Sequence, residues 1–279
     1  MIRVELFKQL RRPRTWIVLG VVAVLSVGLT TVIGLSRPAD PERVGDWLSV
    51  TTNTSGLTMP VIAMTAMTIF LFPLVVAIFA GECIAGEAAW GSLRYLLIHP
   101  TSRGRVLTAK ALVAGTFSIV AVVIAVVVSL VTGVIAFGWH PLPVTDLQHS
   151  TPFYLAFTTF SPGEALGRIG IAVALVVASL FSTFGFSLLL STLTTRPFSA
   201  VAGGVGLSLF SRAFDNIPGF AALRPGLPVT NDGANVWTGL FTRPSQTGGI
   251  SHELLIQAAY GAACLAAAWW QLARRDVLS

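Results

Sequence analysis

The side chains of this 279-residue sequence that could carry covalent, metal or phosphate chemistry are few, and their spacing supports none of it. His99, His140, His149 and His252 are scattered, with no H-E-x-x-H pair and no nucleophile beside a base. Cys83 and Cys264 stand far apart without CxxC or Cys/His spacing, which indicates neither a disulfide framework nor a zinc site; they read as small core residues. The only lysines are Lys8 and Lys110, and neither follows a G-x-x-x-x-G-K-[ST] loop, so the chain itself offers no cradle for nucleotide phosphates. What remains is binding chemistry, concentrated in GECIAGEAAWGSLRYLLIHPTSRGRVLTAK, from Gly81 to Lys110. Leu93, Leu96 and Leu97 share one helical face, Pro100 ends the helix, and Glu87 and Arg94 flank it with charge. A short helix parallel to a membrane, with apolar knobs and charged flanks, suits docking of a soluble partner; a solvated connector is the plainer alternative.

The elements that must position this stretch follow from composition. The chain is 54% hydrophobic and 11% charged, with a mean hydropathy of +0.77. A soluble domain carries about 25% charged residues. Twelve acids and eighteen bases cannot coat a globular surface of this size, which excludes a water-soluble enzyme and a disordered or collagen-like chain. A bilayer core of about 30 Å needs roughly 20 apolar residues per helix. Six stretches qualify as spans, at 16–35, 60–80, 111–137, 169–190, 198–214 and 254–273. Pro73 predicts a kink in the second. The fifth is short and glycine-rich, either a helix continued through Arg212 and Phe214 or a re-entrant segment. The first run exceeds a signal peptide's 7–15 apolar residues and no A-x-A-like site follows, so it reads as a retained helix.

The basic residues set the orientation. With the N-terminus inside, residues 1–15, 81–110, 191–197 and 274–279 are cytoplasmic and hold 12 bases against four acids, while the outer pieces hold six bases and eight acids. The inside is then +8 and the outside −2, as the positive-inside rule requires. Both termini are cytoplasmic. This placement also argues against nucleic acid as the reason for the net charge of +6.

Ile2, Leu6 and Leu10 recur at helical spacing opposite Glu5, Lys8 and Arg12, so residues 1–15 predict an amphipathic elbow lying along the inner headgroups. Small residues cluster at Ala200, Gly203, Gly204 and Gly206, and again from Ala259 to Ala267, which predicts close helix packing within the chain or at a subunit interface. Scarcely any ionisable residue falls inside a span, which disfavours a proton- or sodium-coupled carrier. Glu164 and Arg168 can pair at the outer mouth of the fourth span. The outer segment 215–251 is punctuated by prolines and predicts either an external gate, short re-entrant helices or an irregular loop. Sixteen arginines against two lysines suit a GC-rich bacterial gene.

The 81–110 loop resembles that of the ABC-2 type transporter permeases. The resemblance is carried by Glu87, Gly91-Ser92-Leu93, Leu96-Leu97, Pro100, Ser102-Arg103 and Lys110. It extends to the basic amphipathic start, the six spans and the aromatic ending before Arg274-Arg275. Trp90 stands where a charged residue is common, and Ser92 replaces the usual threonine. The resemblance implies an all-α membrane protein of the cell membrane, one permease domain over residues 1–279, with six transmembrane helices, an interfacial elbow and a cytoplasmic coupling helix. It implies Glu87, Gly91, Ser92, Leu93, Arg94, Leu96, Leu97, Pro100 and Arg103 as residues that couple to an ATPase, with Glu87 and Arg94 as polar contacts and the leucines as anchors. ATP and Mg would belong to that partner, with two cytoplasmic ABC ATPase subunits and a second permease chain, the same or related, completing the assembly. Export of a hydrophobic or amphipathic substrate is the expected function. A non-transporting scaffold or sensor that docks an ATPase is the rival, and an intramembrane enzyme is disfavoured by the missing catalytic constellation.

Overall fold

The computed structural model describes residues 2–35, 55–89, 91, 103–151, 154–215, 217, 219, 226–227, 236–245 and 248–274. The expected coupling helix, around Glu87 to Ile98, therefore lies outside the described residues from Ser92 on.

Helix formation follows the apolar runs. After α1 (Ile2–Leu10), α2 (Pro13–Leu35) opens with proline at its first position, where no backbone donor is lost. The second run forms α3 (Thr58–Ile69) and α4 (Leu71–Ala89), broken at Phe70 with φ −135°. Pro73 causes the break: it has no N–H for the Ile69 carbonyl, and its ring crowds that carbonyl. Next comes α5 (Arg103–Phe137), 35 residues or about 52 Å long, well beyond the hydrocarbon core. The fourth run is α6 (Pro162–Ser179) and α7 (Phe181–Leu193), separated only by Leu180; Ser161 caps the start by accepting from the Glu164 N–H. The fifth forms α8 (Pro197–Asp215), one continuous helix rather than a re-entrant pair, and the sixth forms α9 (Ile250–Arg274).

Among the described residues, four stretches are long and apolar enough to cross a membrane: Pro13–Leu35, Leu71–Ala89, Arg103–Phe137 and Pro162–Leu193. Their surfaces agree with that reading. Val24 is 69% exposed and Ile135 79% exposed, and Leu112, Val131 and Ile171 all stand more than half open. Contiguous apolar faces of this extent mark a membrane or partner surface.

The helical prediction is corrected at one end of the bundle. There β1 (Leu142–Thr151) and β2 (Tyr154–Phe160) form an antiparallel hairpin with Leu142 opposite Phe160, and β3 (Thr242–Arg243) adds parallel to β1. Leu57, Leu142, Val144, Phe160 and Ala165 form a small core beneath this sheet. The expected outer loop also carries a 3-10 turn, Thr238–Phe241, preceded by a fully buried Trp237 whose ring meets Phe241 edge-on at 5.9 Å. Arg168 binds the end of this turn. It pairs with Glu164 at 3.0 Å, donates to the Leu240 carbonyl and Ser245, and lies over the Phe160 ring.

The main core runs down the bundle through Val22, Met64, Phe72, Phe117, Ala121, Val176 and Trp237. Small residues set how closely the helices meet. A Cβ on Gly185 would lie 2.6 Å from the Gly261 carbonyl oxygen, and one on Gly204 would meet Ser187 and Ala77. These glycines serve contacts within the chain, whereas Gly206 meets nothing within 4 Å. Gly185→Ala forces two backbones apart and is expected to cost about 1–3 kcal/mol. Gly206→Ala should leave the melting temperature unchanged or slightly raised, and thermal unfolding of the two purified variants separates the cases.

Candidate site at the roots of the α4–α5 connection

The end opposite the hairpin holds the only dense ion cluster among the described residues. α4 runs on to Ala89 and α5 starts at Arg103, so the 30-residue loop expected from Gly81 to Lys110 is mostly helix. Helical stop chemistry ends α4: Gly91 takes a left-handed φ of +69°, and its N–H donates to the Ala88 carbonyl. The helix extensions put Glu87 just before one root of the connection and Lys110 two turns beyond the other.

Those two residues meet. Lys110 Nζ lies 2.6 Å from Glu87 Oε1 and 2.8 Å from Glu5 Oε1, and Lys8 Nζ lies 2.5 Å from the same Glu87 oxygen. The Lys110 and Glu87 side chains are 3% and 4% exposed, while Lys8 is 42% exposed. Two cations and two carboxylates make the group neutral, which is what allows burial of charge. Arg14 adds a second tie, to Glu82 at 2.7 Å. A cavity of about 20 Å³ beside Glu5, Glu82 and Lys110 has room for about one water.

α1 reaches the cluster through a tight elbow. Thr15 Oγ1 donates to the Gln9 carbonyl at 3.0 Å and Trp16 Nε1 to the Leu10 carbonyl at 2.8 Å, which fixes the turn from α1 into α2. The apolar residues Ile2, Phe7 and Leu10 stay exposed.

Electrostatics favour the charged form of Lys110, which precedes the apolar run 111–137. Burial pushes its pKa down, and Glu87 and Glu5 together override that, so it rises above 10.5. The Cys83 sulfur points at the Phe79 and Lys110 carbonyls.

Among the residues expected to couple to a partner, the structure treats each described one differently. The Glu87 carboxylate is buried under Lys8 and Lys110, within the chain. Gly91 ends α4. Arg103 Nη1 donates to the Ala273 carbonyl at 3.2 Å, joining the start of α5 to the end of α9 and satisfying a helix C-terminus. Ser92, Leu93, Arg94, Leu96, Leu97 and Pro100 lie outside the described residues. Sequence reasoning placed Glu5 and Lys8 only on the polar side of the elbow and missed their pairing. The signal was present: Glu82 and Glu87 in one apolar helix and Lys110 in the next each require an opposite charge.

Further along the bundle, Arg212 is 7% exposed, and its Nη2 donates to the Thr68 carbonyl near the end of α3 at 2.7 Å. Ser191 Oγ accepts from the Ile84 and Ala85 N–H groups and pins α7 to α4. No group of three or more metal-ligating side chains occurs among the described residues.

The arrangement locks two helix roots and α1 into one body, which is the geometry of a mechanical joint. No curated protein matches the chain. The family model described as ABC-2 family transporter protein matches residues 2–229, more than four-fifths of the length and the whole of this joint. The chain belongs to the ABC-2 family of transporter proteins and is a multi-pass membrane component of that transport machinery, not itself a catalyst.

Proposed function

We propose that the chain is the permease subunit of an ATP-binding cassette exporter, driven by ATP and Mg held in two separate cytoplasmic ATPase subunits and paired with a second permease chain. The observation that carries this reading is the buried Glu87–Lys110 tie across the two roots of residues 90–102. A partner pressing on that connection moves α4 and α5 together, because their ends cannot separate without exposing two buried charges. The 35-residue α5 then conveys the movement to the hairpin end, and α4 conveys it to the Pro73 break.

In this reading Leu93, Leu96 and Leu97 fill an apolar groove on the ATPase, Arg94 supplies a polar contact, and Gly91, Ser92, Pro100 and Arg103 shape the ends of the coupling helix. α8 and α9 complete six spans: at 19 and 25 residues they are about 28 and 37 Å long, near or above the core thickness. The N-terminus, the connection and the C-terminus face the cytoplasm of a bacterial cell membrane, and α1 lies in the inner headgroups. The largely uncharged spans suit a hydrophobic or amphipathic substrate.

Purification from native membranes tests this directly. The expected result is recovery with a subunit bearing a Walker A motif; recovery without any ATPase, under conditions that preserve complexes, overturns it. ATPase activity in liposomes that no amphipathic cargo stimulates would instead favour a docking scaffold.

A further inference from the structure

We infer that the groove between α5, α7 and α9 is a binding site for one acyl chain of an anionic phospholipid, whose headgroup sits at Arg105. The groove encloses about 630 Å³, within the range of about 300–1,000 Å³ typical of ligand pockets. Leu107, Leu112, Ile119, Phe184, Leu265 and Trp269 are among its walls.

Its polar lining makes no demand on an occupant. Thr108, Thr116 and Ser118 donate their hydroxyls back to Gly104, Leu112 and Ala114 of their own helix, at 2.8, 2.8 and 2.9 Å. Only the Trp269 indole remains as a polar wall group, and it sits at the loop end against Gly104. A headgroup or a sugar would find no partners deeper in; a hydrocarbon chain needs none. The groove opens where Leu112 is 54% and Ile119 45% exposed, the face of α5 that a bilayer would cover.

Charge at one end selects the lipid. Arg105, Thr108, Leu112 and Ile119 fall on one helical face, so exposed Arg105 crowns the wall that the chain lies against. Arg103 and Arg274 flank it: Arg103 binds the Ala273 carbonyl, and Arg274 stacks on Trp270 at 4.2 Å. A second copy of this chain fits less well. α7 carries no acid and α9 carries only Glu253, at its far end, so neither helix of a neighbour brings a carboxylate to Arg105. A phosphate pairs with it. The site requires the helices to lie in a bilayer but is independent of ATPase docking, so the two readings fail separately.

The test is native mass spectrometry of the full chain in mild detergent, offered phosphatidylglycerol and phosphatidylcholine with matched acyl chains. Wild type is expected to retain one lipid and to prefer phosphatidylglycerol. Arg105→Glu should lower that preference by about fivefold or more. Gly115→Phe, which projects into the groove beside the Phe184 ring, should abolish retention with unchanged elution volume. Ile119→Trp at the open rim gives the same loss if the Gly115 variant misfolds. Equal retention in a filled-groove variant that folds, unchanged preference in Arg105→Glu, or a lipid-free dimer closed over this face would each overturn the assignment.

Discussion

Glu87→Gln is expected to be among the most damaging single substitutions at the loop end of the bundle. It leaves Lys110, with a side chain 3% exposed, facing a neutral amide. Breaking one partner out of a buried pair costs about 3–5 kcal/mol. Glu5 stays 2.8 Å from Lys110 and softens this to about 2–3 kcal/mol, or roughly a 5–10 °C fall in melting temperature for a chain of this size. Glu87→Gln with Lys110→Met removes both charges and should recover most of the loss, because an apolar replacement of a buried pair is nearly neutral. Lys8→Gln should cost under about 1 kcal/mol, since Lys8 is half exposed and water screens it.

The pH profile distinguishes the ion pair from simple crowding. Lys110 is raised above 10.5, so its contribution is present below that value and is lost as pH rises through the elevated one. The stability difference between wild type and Glu87→Gln should therefore be flat through neutral pH and shrink above that limit. A difference that varies across neutral pH would contradict the assignment.

The second large effect lies in the connection itself. Leu93→Asp or Leu97→Asp places a carboxylate where an apolar anchor is proposed to enter the ATPase. Burying that charge without a partner costs at least about 3 kcal/mol, roughly a hundredfold in Kd. ATPase co-purification should disappear while insertion, elution volume and melting temperature stay at wild-type values. The same substitution at exposed Trp139, by the hairpin, should leave association intact.

Much of the helical frame was legible because a bilayer leaves a strong signature: every apolar run became a helix, and Pro73 marked the break at Phe70. The ends were less legible. Hydropathy stops at the first charge, so it closed the second span at residue 80 and opened the third at 111, whereas Glu87 and Lys110 neutralise one another and let both helices continue. The hairpin was missed for a related reason. Leu142–Thr151 and Tyr154–Phe160 mix polar and apolar residues without the long runs that announce a span, and β3 is only two residues long. The ties of Glu87 to Lys8 and Lys110 were not legible either, because they join residues 79 and 23 positions apart in the sequence.

Seating of the ATPase on the α4–α5 connection is tested by site-specific photocrosslinking in intact membranes, with the reactive group placed at Leu97 in one chain and at Trp139 in another. A crosslink to a Walker A subunit from Leu97 and none from Trp139 is the predicted result. Capture from Trp139, or none from Leu97 in a complex that still contains the ATPase, would contradict the account.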